Sequence, residues 1–170
     1  GLSGMWRDPV TRAKLRTNCT AAINDLREAA DLREQLEERL SHRAFKPSAV
    51  ELVNRASQYQ SIWKRWFGGF GAYRQEVAEL FKSGCPSTPI LLSDLLKLRT
   101  WHRRVAEVTD SASEVARWLP TGFVADQLES WEQLQQALSA FEQFASDLTD
   151  IVILLPDETV MIDQRSLAAI

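Results

Sequence analysis

The part of the sequence richest in ligand-binding groups is residues 61–73, SIWKRWFGGFGAY. It contains two Trp, two Phe, one Tyr and three Gly, with Lys64 and Arg65 in the middle. Aromatic rings stack on nucleobases and cations bind phosphates, so this composition is typical of a platform for single-stranded nucleic acid. It is also typical of a corner in which glycines turn the chain and aromatic side chains fill the gap between two helices.

The spacing of the aromatic residues favours the corner. Trp63 and Trp66 are three residues apart, so they share one helix face with Tyr59 and Ile62. A shared apolar face indicates burial, and we expect the two cations to point away from it. The predicted structural aromatic corner consists of Trp63, Trp66, Phe67, Phe70 and Tyr73.

Basic side chains are concentrated in the middle of the chain. Residues 43–104 contain 11 basic and 4 acidic side chains, whereas residues 105–170 contain 2 basic and 12 acidic ones. Two such segments act independently when they lie further apart than the Debye length of about 8 Å. We therefore expect weak, sequence-independent binding of single-stranded nucleic acid, although a solvated face on packed helices would show the same pattern. The candidate nucleic-acid-binding residues are Lys64, Arg65, Arg74, Lys97, Arg99, Arg103 and Arg104.

Catalytic patterns are missing from the sequence. The GGFG stretch lacks the downstream Lys-Ser/Thr of a phosphate-binding loop. Asp157 and Glu158 follow an apolar run, as magnesium-binding carboxylates do in ATPases, but a polar turn after a buried segment is the favoured interpretation. His42 and His102 stand alone, and no cluster has metal-ligand spacing. The sequence predicts a protein that is not an enzyme and holds no cofactor or metal.

The two cysteines and the hydropathy pattern indicate a cellular compartment. Cys19 and Cys85 belong to no paired or zinc-type motif, so we expect buried or inert thiols in a reducing environment. No run approaches the roughly 18 apolar residues of a membrane span. These features predict a cytoplasmic protein with no membrane contact.

Apolar residues at alternating spacings of four and three predict an all-α fold. One seam runs from Leu15 to Leu40, after a helix start at Asp8-Pro9, and a second runs from Leu91 to Leu119. Such spacing is typical of coiled-coil-like packing. We expect an elongated bundle of antiparallel helical hairpins, forming a single domain over residues 1–170.

Shorter helices complete the predicted bundle. A capping box at Ser48 and Glu51 predicts a helix that continues to about Phe67. A short helix follows, with Tyr73, Val77, Leu80 and Phe81 turned inward and Gly84 as its cap. A second capping box at Ser130 and Gln133 opens the last helix. Residues 150–170 begin with an apolar segment that fits either a strand or a buried segment.

Three stretches resemble a known family. They are RWFGGFGAYRQEVAELFKSG, LLSDLLKLRTWHRRVAEV and SWEQLQQALSAFEQF, in this order within residues 45–145. Together they resemble the all-helical insertion, or stalk, of large bacterial superfamily-1 DNA/RNA helicases. The chain lacks every motif of the helicase motor itself. The matching positions are Trp66, Phe67, Tyr73, Arg74, Leu95, Leu98, Arg103, Ser130, Trp131, Leu134 and Leu138.

The resemblance implies a non-catalytic accessory domain beside an ATP-driven motor. Such a domain would guide nucleic acid or dock a protein partner, and its parent protein would be an ATP-dependent helicase. Because the chain begins with Gly1 and lacks the motor, we expect it to be excised from a larger protein. The alternative is a helical protein–protein interaction or oligomerisation module with no role in nucleic-acid binding.

Overall fold

All regular structure in the described part of the chain is helical. The computed structural model describes residues 6–154, with side chains up to residue 150. Within these residues the only β-type pairing is an isolated antiparallel bridge between Leu40 and Phe81. The all-α prediction is therefore confirmed. The α-helices are α1 (Pro9–Leu36), α2 (Val50–Asn54), α3 (Ile62–Phe67), α4 (Phe70–Val77), α5 (Thr88–Val115) and α6 (Leu128–Leu154).

The described residues form two compact units. One unit comprises residues 6–23 and 109–154, and the other comprises residues 24–108. The single domain and the antiparallel, coiled-coil-like hairpins stay predictions. Of the predicted apolar C-terminal segment at 150–170, the residues up to 154 continue α6. The remainder of that segment lies outside the described residues.

The first unit contains the capped start of α1. The carboxylate of Asp8 accepts hydrogen bonds from the backbone N–H groups of Val10 and Thr11, each at 3.2 Å. These are two of the donors that a helix leaves unpaired at its first turn. The predicted helix start at Asp8-Pro9 is therefore confirmed.

The core of the first unit is built around Trp131 of α6. Its side chain is fully buried, packs edge-to-face on Phe123 at 4.8 Å, and donates from Nε1 to the carbonyl of Ala125 at 2.8 Å. The predicted capping box at Ser130 is wrong, because α6 already begins at Leu128. The chain is anchored here by a buried ring instead of a capping side chain.

The second unit has a continuous apolar core, to which the end of α1, the segment 40–59, α4 and α5 contribute. The inward positions of the predicted third helix, which end at Leu80 and Phe81, are all buried, as their spacing predicts. An ion pair fixes one edge: Arg39 binds both carboxylate oxygens of Asp94 at 2.7 Å, and Asp94 is only 1% exposed. Gly84 has a left-handed φ of 83° but is no helix cap, because the helical segment already ends at Leu80.

Residues 47–67 do not form the single helix that the sequence predicts. A 3₁₀ turn at Pro47–Ala49 precedes α2, and Ser48 makes no capping bond. A second 3₁₀ segment, Arg55–Gln60, follows α2, and Ser61 then takes an extended conformation with φ −75° and ψ 133°. These breaks turn the chain, so α3 becomes a separate helix of six residues.

Candidate interaction surface on helix α3

Helix α3 presents its apolar face to solvent. The side chains of Ile62, Trp63, Trp66 and Phe67 are exposed by 62%, 75%, 79% and 78%. At about 100° per residue these four positions lie on one stripe about 140° wide. We call these four side chains the aromatic stripe. The predicted burial of Trp63, Trp66 and Phe67 in the corner is therefore wrong.

Other rings fill the corner instead. Tyr59 lies nearly parallel to Tyr73, with ring centroids 4.7 Å apart and an interplanar angle of 22°. Phe70 packs on Tyr59 at 5.3 Å. Of the predicted corner, only Phe70 and Tyr73 pack here. Helical periodicity identifies residues that share a face but not what that face meets, so the pattern alone does not separate a buried stripe from an exposed one.

The orientation of α3 is fixed at its C-terminal end. The hydroxyl of Tyr59, itself buried, donates to the carbonyl of Gly68 at 3.0 Å. The N–H of Gly68 donates to the carbonyl of Lys64 at 2.7 Å, and a Cβ on Gly68 would clash with that oxygen. Gly69 has φ +76°, which only glycine adopts readily. Two glycines and a buried tyrosine therefore position the aromatic stripe.

A cation lies on each side of the aromatic stripe. On a helical projection, Arg65 lies about 60° before Ile62, and Lys64 about 60° beyond Phe67. Lys64 is exposed and Arg65 is half-buried. Neither side chain forms an ion pair or hydrogen bond with any residue in the described part of the chain. Two uncompensated positive charges thus flank exposed aromatic rings.

Three other predicted cations make intramolecular contacts. Arg74 donates to the carbonyl of Pro86 at 2.8 Å and to Thr88 Oγ1 at 3.2 Å, which holds the loop before α5. Arg104 lies among three carboxylates, those of Glu28 at 2.5 Å, Glu107 at 2.8 Å and Asp25 at 3.6 Å.

Arg103 pairs with Glu107 at 3.9 Å. Because contacts within the protein occupy the guanidinium groups of Arg74 and Arg104, these two residues are poor candidates for binding a ligand.

The remaining two predicted cations lie on different sides of α5. Lys97 and Arg99 are two residues apart, which is about 200° around the helix. Neither forms an ion pair with a described residue. Lys97 shares its face with Trp101, one turn further along. The structure thus separates the predicted cations: Lys64 and Arg65 lie together, and Lys97 lies beside a different aromatic residue.

His102 and Cys19 are buried groups of the helical core. His102 is buried, and its Nε2 lies 2.8 Å from the carbonyl of Ala44, while burial lowers the pKa of the imidazole. Burial raises the pKa of the Cys19 thiol to about 11, which keeps this cysteine protonated and unreactive.

Within residues 6–154 no three metal-ligating side chains are grouped. None of the helices described there is long and apolar enough to cross a bilayer.

Comparisons of this chain with protein-family models, with curated proteins and with solved structures give no match. The resemblance to a helicase insertion stays a prediction. Sequence reasoning missed the role of Tyr59, which it placed on the same face as Trp63. The available signal was the pair of glycines at 68 and 69, since a backbone approach requiring glycine needs a partner nearby.

Proposed function

We propose that this chain is a non-catalytic helical module that binds single-stranded nucleic acid through the aromatic stripe of α3. The observation that carries the proposal is the outward apolar face of α3 between two unpaired cations. Exposed rings stack on unpaired bases, which contributes about 1–3 kcal/mol per base. Lys64 and Arg65 then bind the neighbouring phosphates.

The size of the stripe supports a small ligand. Three aromatic side chains of 150–250 Å² each, about three-quarters exposed, offer roughly 450 Å² of apolar surface. This is comparable to the largest apolar patch of an ordinary monomer, which is often functional. It is well below the ~800 Å² per partner of a stable protein interface. A few stacked nucleotides fit this area better than a second copy of the chain does.

The helicase resemblance supplies the setting. Trp66 and Phe67, which belong to the aromatic helix end in that pattern, are among the most exposed apolar side chains in the described residues. We therefore propose that the module serves as an accessory domain of a superfamily-1 helicase. It would hold an unpaired strand beside the motor and perform no chemistry itself.

A protein partner is the second candidate. An exposed helix with apolar anchors on one face suits a hydrophobic groove on another protein. Tryptophan and arginine are the residues that most often dominate such contacts, and Arg65 lies next to Trp66. In that case nucleic acid would not compete for the stripe.

Fluorescence anisotropy with a labelled single-stranded oligonucleotide tests the proposal. We expect Trp66→Ala to weaken binding by about tenfold, in line with the loss of one stacked base. Phe144→Ala is the matched control, because Phe144 is an exposed aromatic residue of the other unit, at 44% exposure. This control is expected to bind like the wild type.

Two results would contradict the proposal. One is the absence of binding even at low salt, where phosphate contacts are strongest. The other is binding of anionic lipid vesicles, with no oligonucleotide binding, that is lost in Trp66→Ala. The second result would assign the stripe to a membrane surface.

A further inference from the structure

A second group of cations, none of which forms an ion pair with a described residue, is carried by backbone close to the ring pair of Phe45 and Trp101, within the unit of residues 24–108. We infer that this group binds the phosphate backbone of the same strand that the aromatic stripe holds, an inference that rests on the proposed function. We call the group the Trp101 surface. Its cations are Arg33, Arg43, Lys46 and Lys97.

Two contacts fix residues 43–46 against α5. The carbonyl of Ala44 lies 2.8 Å from His102 Nε2, and the ring of Phe45 meets Trp101 edge-to-face at 5.0 Å. Arg43 and Lys46 flank this pair of anchored residues, and both are exposed. The backbone from which both side chains project is thereby fixed beside the Phe45–Trp101 pair.

The other two cations reach the same ring pair from the helices. The guanidinium carbon of Arg33 lies 4.3 Å from the centroid of Phe45 and 5.8 Å from that of Trp101. Lys97 precedes Trp101 by four residues of the helix, a rise of about 6 Å. Arg33 therefore contacts the ring pair, and the other three cations lie within four residues of one of its two rings along the chain.

The charges at this site are not neutralised by the fold. None of the four cations forms an ion pair with a described residue. Asp94, three residues before Lys97 on the same helix, is occupied by Arg39. Glu34 and Glu37, which are close to Arg33 in the sequence, pair with none of the four. A cluster of cations that keeps its charge attracts an anion.

The rings at this site favour phosphate over base contacts. Phe45 is buried, Trp101 is half-buried, and Arg33 lies over both of them. Little ring face is left for a base to stack on, in contrast to the aromatic stripe. The aromatic stripe of α3 thus stacks on the bases, and the Trp101 surface binds phosphates in addition to those bound by Lys64 and Arg65.

The inference makes a numerical prediction about salt. For single strands, log K falls with log salt with a slope of about −0.7 per neutralised phosphate. Lys64 and Arg65 alone predict a slope of about −1.4 for a one-to-one contact with phosphates. The four cations of the Trp101 surface would bring the slope to about −4.

A double variant and a matched control test this number. Arg43→Ser with Lys46→Ser removes two exposed cations that make no ion pair, so folding should be unchanged. We expect the slope to become shallower by about 1.4, measured by anisotropy with a 20-nucleotide oligonucleotide. The control, Lys14→Ser with Arg117→Ser, removes two exposed cations of the other unit. It is expected to keep the slope of the wild type.

Long-chain inorganic polyphosphate separates this inference from the proposed function, because it has phosphates and no bases. We expect it to bind the wild type and Trp66→Ala equally, and the Arg43/Lys46 variant more weakly. If the oligonucleotide binds with a slope near −1.4 that the double variant leaves unchanged, the Trp101 surface is overturned and the proposed function stands. Polyphosphate binding that depends on Arg43 and Lys46, without oligonucleotide binding, would show an anion site that holds no nucleic acid, and it would reject both the proposed function and this inference. Polyphosphate binding indifferent to the double variant overturns the inference.

Discussion

Single residues decide how the aromatic stripe is presented. Tyr59 is buried, stacks on Tyr73, and hydrogen-bonds the carbonyl of Gly68, so the end of α3 is tied to the core. Gly68 itself has no room for a side chain, since a Cβ would contact the carbonyl oxygen of Lys64. The exposed tryptophans therefore depend on residues that touch no ligand.

Substituting Gly68 tests this dependence. Gly68→Ala places a Cβ against a backbone oxygen, so α3 must shift or unwind, at a cost of about 1–3 kcal/mol. We expect a lower melting temperature together with weaker oligonucleotide binding. Gly71→Ala is the control, because a Cβ there meets nothing within 4 Å and Gly71 lies within α4. Equal effects of the two variants would contradict the close approach at Gly68.

The buried His102 predicts a dependence of stability on pH. Burial lowers its pKa in the folded state, so the unfolded chain binds the proton more readily. The stability that neutral His102 contributes is present above the unfolded pKa of about 6.5 and is lost as the pH falls below it, by at most about 1.4 kcal/mol per pH unit.

Urea unfolding at pH 7.5 and pH 5.5 measures this loss. In His102→Gln the difference between the two pH values should shrink. A difference as large as that of the wild type would assign the effect to another group.

At the scale of elements, the sequence predicts long helices well and breaks poorly. The helix start at Asp8 is readable because a carboxylate followed by Pro9 has a local cause. The break at Ser61 has no local signal, since it follows from the burial of Tyr59 in the core. The direction in which α3 faces is not readable either, because the same periodicity describes a helix facing the core and one facing solvent.

The exposed Trp66 and the buried Trp131 predict different effects of truncation on stability. Trp66→Ala should change the free energy of unfolding by no more than about 0.5 kcal/mol, as an exposed substitution does. Trp131→Ala should cost about 3–5 kcal/mol, because its ring is fully buried. Urea denaturation of both variants measures the contrast. A large loss of stability in Trp66→Ala would mean that α3 packs against the protein.

At the scale of the whole molecule, the spacing of apolar residues predicts the fold class, but the charge composition does not predict which cations are available. A count of charges marks residues 43–104 as basic, yet it cannot show that three carboxylates surround Arg104 or that Arg74 holds a loop. Those pairings depend on tertiary contacts between residues far apart in the chain. The predicted separation of the positive and negative segments, and the helicase setting, stay predictions.

The central claim is that exposed rings of α3 stack on unpaired bases, and a comparison of single-stranded with duplex DNA of the same sequence tests it most directly. A duplex offers phosphates to the cations but hides the faces of its bases, so stacking requires the single strand. We predict that anisotropy at physiological salt gives tighter binding of the single strand, and that the preference disappears in the double variant Trp63→Ala and Trp66→Ala. Equal affinity for both forms of DNA, or a preference that survives the double variant, would contradict the account.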